Sequence, residues 1–399
     1  MAAILTVLTF VLCLFALGKG IDVQRLNLEQ VLILSRHNVR TPLTGELEMY
    51  SSKPWPKWNV SSGLLTRKGY QLEGYMGEYI ADWFATENFF NGCPKEEEII
   101  VYSNTKPRTI ASAKAFAESA FKNCNITVKH HENLAAMDPM FLPIFHNKTD
   151  AFKQQAREEM TRKLNEVDLT EAYREMTRIL NMQSSDVCKK LAICDLVALK
   201  SDIVTEDGEE PNVNGALSIA NAIVDSFIMS YYEGMPLSEV AWGEMQDNVT
   251  KWELLTSIAR ENLNVRFNLT SASKDVAGPL LKYMYNIFKS GMPKFTLLVG
   301  HDSNLNGVIN AFDFQPFVLP GQFEPFPIGG KVIFQKWGDA NEKYLKIEYV
   351  YPTVKQLRNG EKLSRLDPPQ RVLLIPKGCK MSPAGFCPWS EFLKLNTFS

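Results

Sequence analysis

Residues 29–42 read Glu-Gln-Val-Leu-Ile-Leu-Ser-Arg-His-Asn-Val-Arg-Thr-Pro, and the fold follows from how that stretch divides. Its first half, 29–35, is a short apolar run with β-branched members, which predicts a buried strand rather than a helix. Its second half, Arg36-His37-Asn38-Val39-Arg40-Thr41-Pro42, places two guanidiniums and an imidazole at that strand's carboxyl end, where α/β sheets hold their ligands. A second apolar run at 295–299 ends in the same manner, in Gly300-His301-Asp302. A third, 98–102, passes through Ser103-Asn104-Thr105-Lys106-Pro107 to Arg108 and an alanine-rich helix reaching 121. Strands alternating with helices imply a mostly parallel sheet with crossover helices.

Working outward, residues 51–62 form a loop rich in Pro, Trp and Ser. Residues 64–84 read as a helix with Leu65, Tyr70, Leu72, Met76, Tyr79 and Ile80 on one stripe. The chain then changes character. Helices are predicted over 150–180, 213–234, 237–262 and 274–289, with no convincing strand between 130 and 270. Strands resume at 295–299, followed by two more at 331–336 and 344–351 that suit an antiparallel edge. The sequence thus predicts an α/β fold: a mostly parallel central sheet flanked by helices, from residues 21–130 and 271–399, with a smaller helical cap inserted at 131–270.

Bulk properties exclude several classes. A chain of 399 residues with 45% hydrophobic and 22% charged content fits one large α/β domain with an insertion. A net charge of −2 gives no general attraction to nucleic acid or anionic membranes. Affinity for an anionic small molecule must therefore be local. Residues 4–17 are apolar apart from two threonines and are followed by small residues, so 1–20 reads as an export signal and not as a membrane span. No anchor follows, and a secreted, extracellular protein is expected. Five Asn-x-Ser/Thr sequons, at Asn59, Asn125, Asn147, Asn248 and Asn268, are glycosylation candidates. Setting Cys13 aside leaves Cys93, Cys124, Cys188, Cys194, Cys379 and Cys387. An oxidising compartment favours three disulfides. Of the connectivities open to six cysteines, proximity favours Cys188 with Cys194 and Cys379 with Cys387, leaving Cys93 for Cys124. Five histidines and no close Cys/His cluster argue against a metal site, and no cofactor is implied.

The two strand-end histidines carry the chemistry. A lone histidine is usually structural, and a lone arginine usually a surface charge. Arg-His-x-x-Arg-x-Pro after an apolar strand, combined with a second strand ending in His-Asp, is a far rarer coincidence. Arg36, Arg40 and Arg108 at one sheet edge would bind a phosphate through their planar donor forks. Neutral His37 could attack phosphorus, and Asp302 could protonate the leaving oxygen.

On these motifs the chain resembles the histidine acid phosphatases, in the branch that includes prostatic and lysosomal acid phosphatases and insect venom and salivary relatives. Leu65-Thr66-x-x-Gly69 matches a further pattern of that family, and the likeness spans nearly the whole chain after residue 25. The resemblance implies an α/β domain of the kind shared with phosphoglycerate mutase, a helical cap and metal-free catalysis. It implies that His37 is the nucleophile, that Arg36, Arg40, Arg108 and His301 bind phosphate, and that Asp302 donates the proton. Relatives are often homodimers.

Three departures bear on activity. Asn38 stands where the family has glycine, a residue that permits unusual φ/ψ and close backbone approach. Tyr102-Ser103-Asn104-Thr105 replaces a segment resembling Arg-Ser-Thr-Asp, and Pro327-Ile328-Gly329-Gly330-Lys331 replaces a Pro-Tyr-Ala-Ser type of segment. Two functions are therefore expected to compete. One is hydrolysis of a phosphate monoester at acid pH through phosphohistidine, weakened or lost if these changes loosen the site. The other is an inactive secreted protein that sequesters small host mediators, such as biogenic amines or anionic lipids, as in saliva or venom.

Overall fold

A computed structural model describes residues 23–43, 47–395 and 397; the expected export signal at 1–20 lies outside them. Strand β1 (Asn27–Arg36) is followed by helix α1 (Arg67–Thr86), β2 (Ile99–Ser103), α2 (Pro107–Ala120) and a two-residue β3 (Val128–Lys129). The middle of the chain forms α3 (Asp150–Glu166), α4 (Thr170–Leu180), α5 (Asp186–Leu191), a hairpin of β4 (Ser201–Val204) and β5 (Asn212–Gly215), α6 (Ala216–Glu233) and α7 (Val249–Phe267). Then come α8 (Ser273–Ser290), β6 (Phe295–Gly300), α9 (Asp302–Phe312), β7 (Lys331–Gly338), β8 (Lys343–Tyr351), α10 (Val354–Asn359), β9 (Gln370–Leu373), β10 (Cys387–Pro388) and α11 (Trp389–Phe392).

The main sheet runs β10-β8-β7-β1-β6-β2-β3, with β9 also on β8. Strands β1, β6, β2 and β3 pair in parallel, as the sequence predicts. The antiparallel share is larger than the expected edge pair: β7 lies against β1 at the centre of the sheet, and β8, β9 and β10 continue it. A tight turn at 339–342 joins β7 to β8, and a connection that short permits only antiparallel pairing.

Strand β1 is buried on both faces, which is why it reads as an unbroken apolar run. Val31 and Ile33 meet Met76, Ile80, Phe84 and Phe116 of α1 and α2. Leu32 and Leu34 face Leu280, Met284, Leu305 and Phe312 of α8 and α9. A third core, including Met176, Ile179, Phe227, Trp252 and Leu255, unites the helices of the middle region.

Several boundaries differ from expectation for local reasons. The stretch 150–180 is two helices, because residues 167–169 break it. The helix expected from 237 begins at Val249, with the Asn248 side chain accepting from Lys251 N. Before it, Ala241, Trp242 and Gln246 adopt positive φ. The hairpin β4–β5 was not anticipated, since Ser-Asp-Ile-Val and Asn-Val-Asn-Gly are short and half polar. On α1, Tyr70 leaves the expected stripe and is exposed, while the buried face is Leu72, Met76, Ile80 and Phe84 with three glycines.

Disulfides join Cys93 to Cys124, Cys188 to Cys194 and Cys379 to Cys387, the pairing that proximity favours. All five sequon asparagines are exposed. Among the described residues no helix is long and apolar enough to cross a membrane.

Helices α1 and α2 approach closely because Gly77 has no side chain: a Cβ there would lie 2.6 Å from the Phe116 carbonyl. Gly77→Ala is expected to destabilise the fold by about 1–3 kcal/mol, through overpacking. Gly278→Ala, in open space on α8, should stabilise by roughly 0.5–1 kcal/mol through helix propensity. Urea unfolding of both variants checks the pair.

Candidate active site

The register of the parallel strands assembles the site. Arg36 pairs with Gly300, and Ser103 with Val299, so three strands end on one line. His37 N donates to Gly300 O at 3.1 Å, and Asn104 N to Val299 O at 2.9 Å. His37 and His301 therefore lie side by side, their ring centroids 5.5 Å apart. The entry to α1 supports the signature loop from outside. Thr66 N donates to Val39 O at 3.0 Å, the Thr66 hydroxyl caps the helix by accepting from Gly69 N, and a side chain at 69 would strike Val39 O. The Leu65-Thr66-x-x-Gly69 pattern is thus a docking device for residues 39–41.

All six residues singled out from the sequence line one cavity of about 330 Å³: Arg36, His37, Arg40, Arg108, His301 and Asp302. Its other wall comes from the cap region and includes Glu210, Asn212, Ser218, Asn221, Asp225, Asn262 and Arg266.

The His37 Nδ1 lies 2.8 Å from the Asn38 carbonyl oxygen. Only an N–H makes that contact, so the proton is assigned to Nδ1 and the Nε2 lone pair is left free. Burial, with the charges of Arg108 and Arg40 nearby, holds this imidazole well below its ordinary pKa. Burial and Arg108 do the same to His301. The Arg108 guanidinium lies 3.4 Å from His301 Nδ1, which accepts from it. The Nε2–H of His301 is then a buried donor with no protein partner.

The three arginines are unequally neutralised. Arg36 spans two carboxylates, Asp302 at 3.1 Å and Glu324 at 3.0 Å. Burial opposes its charge, but those two carboxylates hold the proton firmly. Arg40 makes a two-pronged pair with Asp225 of α6, both contacts 2.9 Å. Among the described residues Arg108 has no carboxylate at contact distance, and burial followed by the charge of Arg40 pulls its pKa down to about 10. The Nε atoms of Arg36, Arg40 and Arg108 and Nε2 of His301 are all buried without a hydrogen-bond partner. Such a set of donors suits an oxyanion, which offers acceptors on every side.

Asp302 begins α9 beside this cradle, about one-third exposed. Burial pushes its carboxyl up, but the charges of Arg36 and Arg40 oppose it, and the net position is below the usual carboxylate range. The carboxyl of Glu324 moves the other way, pushed up by burial despite Arg36.

The departures from the signature do not intrude on the cradle. Asn38 is not among the residues with positive φ, so glycine's conformational freedom is not needed here. Its amide turns behind the loop, donating to Glu73 Oε2 at 3.0 Å and accepting from Val39 N at 2.9 Å. Asn38 is not among the residues that line the cavity. Around the second strand end, Tyr102 donates to Asp138 at 2.6 Å, and Asn104 Oδ1 accepts from Thr105 N and Asp138 N. Different residues have rebuilt the support there.

Sequence reasoning missed Asp225, Glu324, the Glu210–Arg266 pair and the buried Glu73–Lys331 pair. Two carry a visible signal. Asp225 is the single charge in the apolar body of α6, and Lys331 directly precedes the apolar run Val332-Ile333-Phe334 of β7. For a metal, the three-residue group found among the described residues is Cys379, Cys387 and Glu391, whose two sulfurs are joined to each other.

Comparison with known proteins agrees with this geometry. A family model for the histidine phosphatase superfamily (branch 2) matches residues 27–205. The chain is 39% identical over 375 residues to the glucose-1-phosphatase of Salmonella typhimurium, covering 92% of this chain and 91% of that one. It is 40% identical over 379 residues to the glucose-1-phosphatase of Providencia rettgeri, with the same coverage. Among solved structures, the apo form of Hafnia alvei phytase superposes with a TM-score of 0.84 at 26% identity, over 93% of this chain and 96% of that chain. The protein belongs to the histidine phosphatase superfamily, branch 2. These relatives are of the bacterial acid phosphatase type, which corrects the expected likeness to an insect venom and salivary branch.

The unequal neutralisation has a measurable consequence. Arg108→Ala should weaken binding of inorganic phosphate by roughly 10- to 100-fold, the worth of a hydrogen bond to a charged group. Arg40→Ala should cost less, because its fork is already engaged by Asp225. Calorimetric titration with phosphate checks the order.

Proposed function

We propose that the protein hydrolyses the phosphate monoester of a sugar at acid pH by way of a phosphohistidine on His37. The observation that carries this reading is the state of His37: neutral, with its proton on Nδ1 bound to the Asn38 carbonyl and its Nε2 lone pair free beside three guanidiniums. In the proposed reaction, Nε2 attacks phosphorus as the bond from phosphorus to the ester oxygen breaks. Asp302 gives its proton to the departing oxygen. Water then attacks the phosphohistidine and gives a proton back to Asp302, and inorganic phosphate leaves with the imidazole neutral again. Arg36, Arg40, Arg108 and the Nε2–H of His301 stabilise the charge on the transferring oxygens.

The sugar half of the proposal rests on the naming of the two relatives as glucose-1-phosphatases. The cap wall supports it: Asn212, Ser218, Asn221 and Asn262 offer amides and a hydroxyl suited to a polyol. Three disulfides and five exposed sequons support export and glycosylation as part of the same proposal. A sequestering pocket without catalysis draws no separate support, since its motive was a site blocked by Asn38.

The test is turnover of glucose 1-phosphate and p-nitrophenyl phosphate, with His37→Ala as control. Equal rates for the protein and the control would sink the proposal. Asp302→Asn should lower kcat on glucose 1-phosphate by about 10²- to 10³-fold. It should cost much less on p-nitrophenyl phosphate, because nitrophenolate leaves without a proton.

The pH dependence has a definite sign. Asp302 acts as an acid only when protonated, and Arg36 with Arg40 holds it low against burial. Its active form is therefore populated at acid pH and lost as pH rises. His37 is held neutral across that range. On glucose 1-phosphate, kcat/KM should fall with rising pH from the acid side, and Asp302→Asn should flatten that fall.

A further inference from the structure

Two of the sequence departures, Asn38 and Gly329-Gly330-Lys331, meet in one place. The Lys331 ammonium is fully buried beneath the signature loop, and all three of its donors are used. They reach Glu73 Oε1 at 2.6 Å, Ser35 Oγ at 2.7 Å and Gly329 O at 3.2 Å. The second oxygen of Glu73 accepts from the Asn38 amide at 3.0 Å. Asn38 N donates to Ser112 Oγ at 3.1 Å. Six residues, Ser35 of β1, Glu73 of α1, Ser112 of α2, Lys331 of β7 and the loop residues Asn38 and Gly329, thus share one set of hydrogen bonds.

This set holds His37 through both its ring and its backbone carbonyl. On one side, His37 Nδ1 donates to the Asn38 carbonyl, and that residue is tied down by its side chain and its N–H. On the other, the His37 carbonyl accepts from Gly329 N at 3.1 Å, while the Gly329 carbonyl accepts from Lys331. Gly329 has a φ of +66°, and a Cβ there would lie 2.5 Å from the Asn38 Nδ2. A side chain at 329 would therefore collide with the asparagine at 38.

Stability alone is a poor reason for the arrangement. A buried ion pair loses much of its attraction to desolvation, and apolar residues of similar volume often serve as well. Polar networks of this kind specify a geometry when every member is satisfied. We propose that Asn38, Glu73 and Lys331 form one positioning unit that fixes the His37 imidazole for in-line attack on phosphorus. The proposal rests on the phosphatase reading above. It also inverts the meaning of Asn38: the residue that departs from the signature holds the nucleophile in place.

Three variants test it: Asn38→Gly, the double Glu73→Met/Lys331→Met, and the triple combining them. The double removes both charges together, because either one alone would be stranded in the core. Asn38→Gly should lower kcat by roughly 10- to 100-fold, the scale of about 1 Å of misplacement. Its KM and its affinity for inorganic phosphate should stay within about threefold, because no phosphate-binding arginine is altered. The double should lose a similar factor, and the triple no more than the double, as members of one unit are non-additive. A higher kcat for Asn38→Gly, or losses that multiply in the triple, would overturn the proposal.

The ¹⁵N resonances of the His37 ring give a readout that needs neither turnover nor the double variant. They should report the Nδ1–H tautomer in the unmodified protein and an averaged tautomer in Asn38→Gly. An unchanged tautomer in that variant would also overturn the proposal. If the unmodified protein turned over no phosphate ester, the phosphatase reading would fail while the ring resonances still decided this one.

Discussion

The in-register parallel pairing of β1 with β6 is the constraint on which the rest of the site depends. It sets Arg36 opposite Gly300 and so delivers His37 and His301 to adjacent places at the sheet edge. A slip of one residue would turn every side chain on β1 to the opposite face. Val31 and Ile33 would leave the core under α1 and α2, and Leu32 and Leu34 would leave the one under α8 and α9. The catalytic register is therefore locked by burial on both sides of the sheet. Backbone pairing sets the separation of the two histidines.

Gathering three guanidiniums at that edge creates a charge problem that the fold solves in graded steps. Among the described residues Arg36 carries two carboxylates, Arg40 one, and Arg108 none at contact distance. The gradient leaves net positive charge on the side of the cavity where Arg108 meets His301. It also links cap to sheet, since Asp225 reaches Arg40 from α6. The same field keeps both imidazoles neutral, as a nitrogen nucleophile requires. Arg36 meanwhile holds the Asp302 carboxyl low against burial.

What the sequence made legible follows the range of the interactions involved. Strand ends and the six residues of the cradle are local or sit on unbroken apolar runs, and their positions could be read directly. The mixed character of the sheet was underestimated, because β7 and β8 look the same at an edge as at the centre. The hairpin β4–β5 escaped because its strands are four residues long and half polar. Asp225, Glu324 and Glu73 were missed as partners because each finds its partner across a sequence gap of 185 to 288 residues. A charge within an apolar helix or strand is the one trace such partners leave.

Asn38 shows how a departure from a motif should be weighed. By position alone it replaces a glycine beside the nucleophile, which suggests strain or obstruction. Neither applies: its φ is not positive, and its side chain points away from the cavity into a polar cluster. That cluster includes Lys331, which belongs to the other altered segment, and Gly329 provides the room that the amide needs. Read through their partners, the two departures are one substitution distributed over β1 and β7. The chemistry of the loop is conserved in its effect, a held imidazole with a free Nε2, although the residues that hold it differ from the signature.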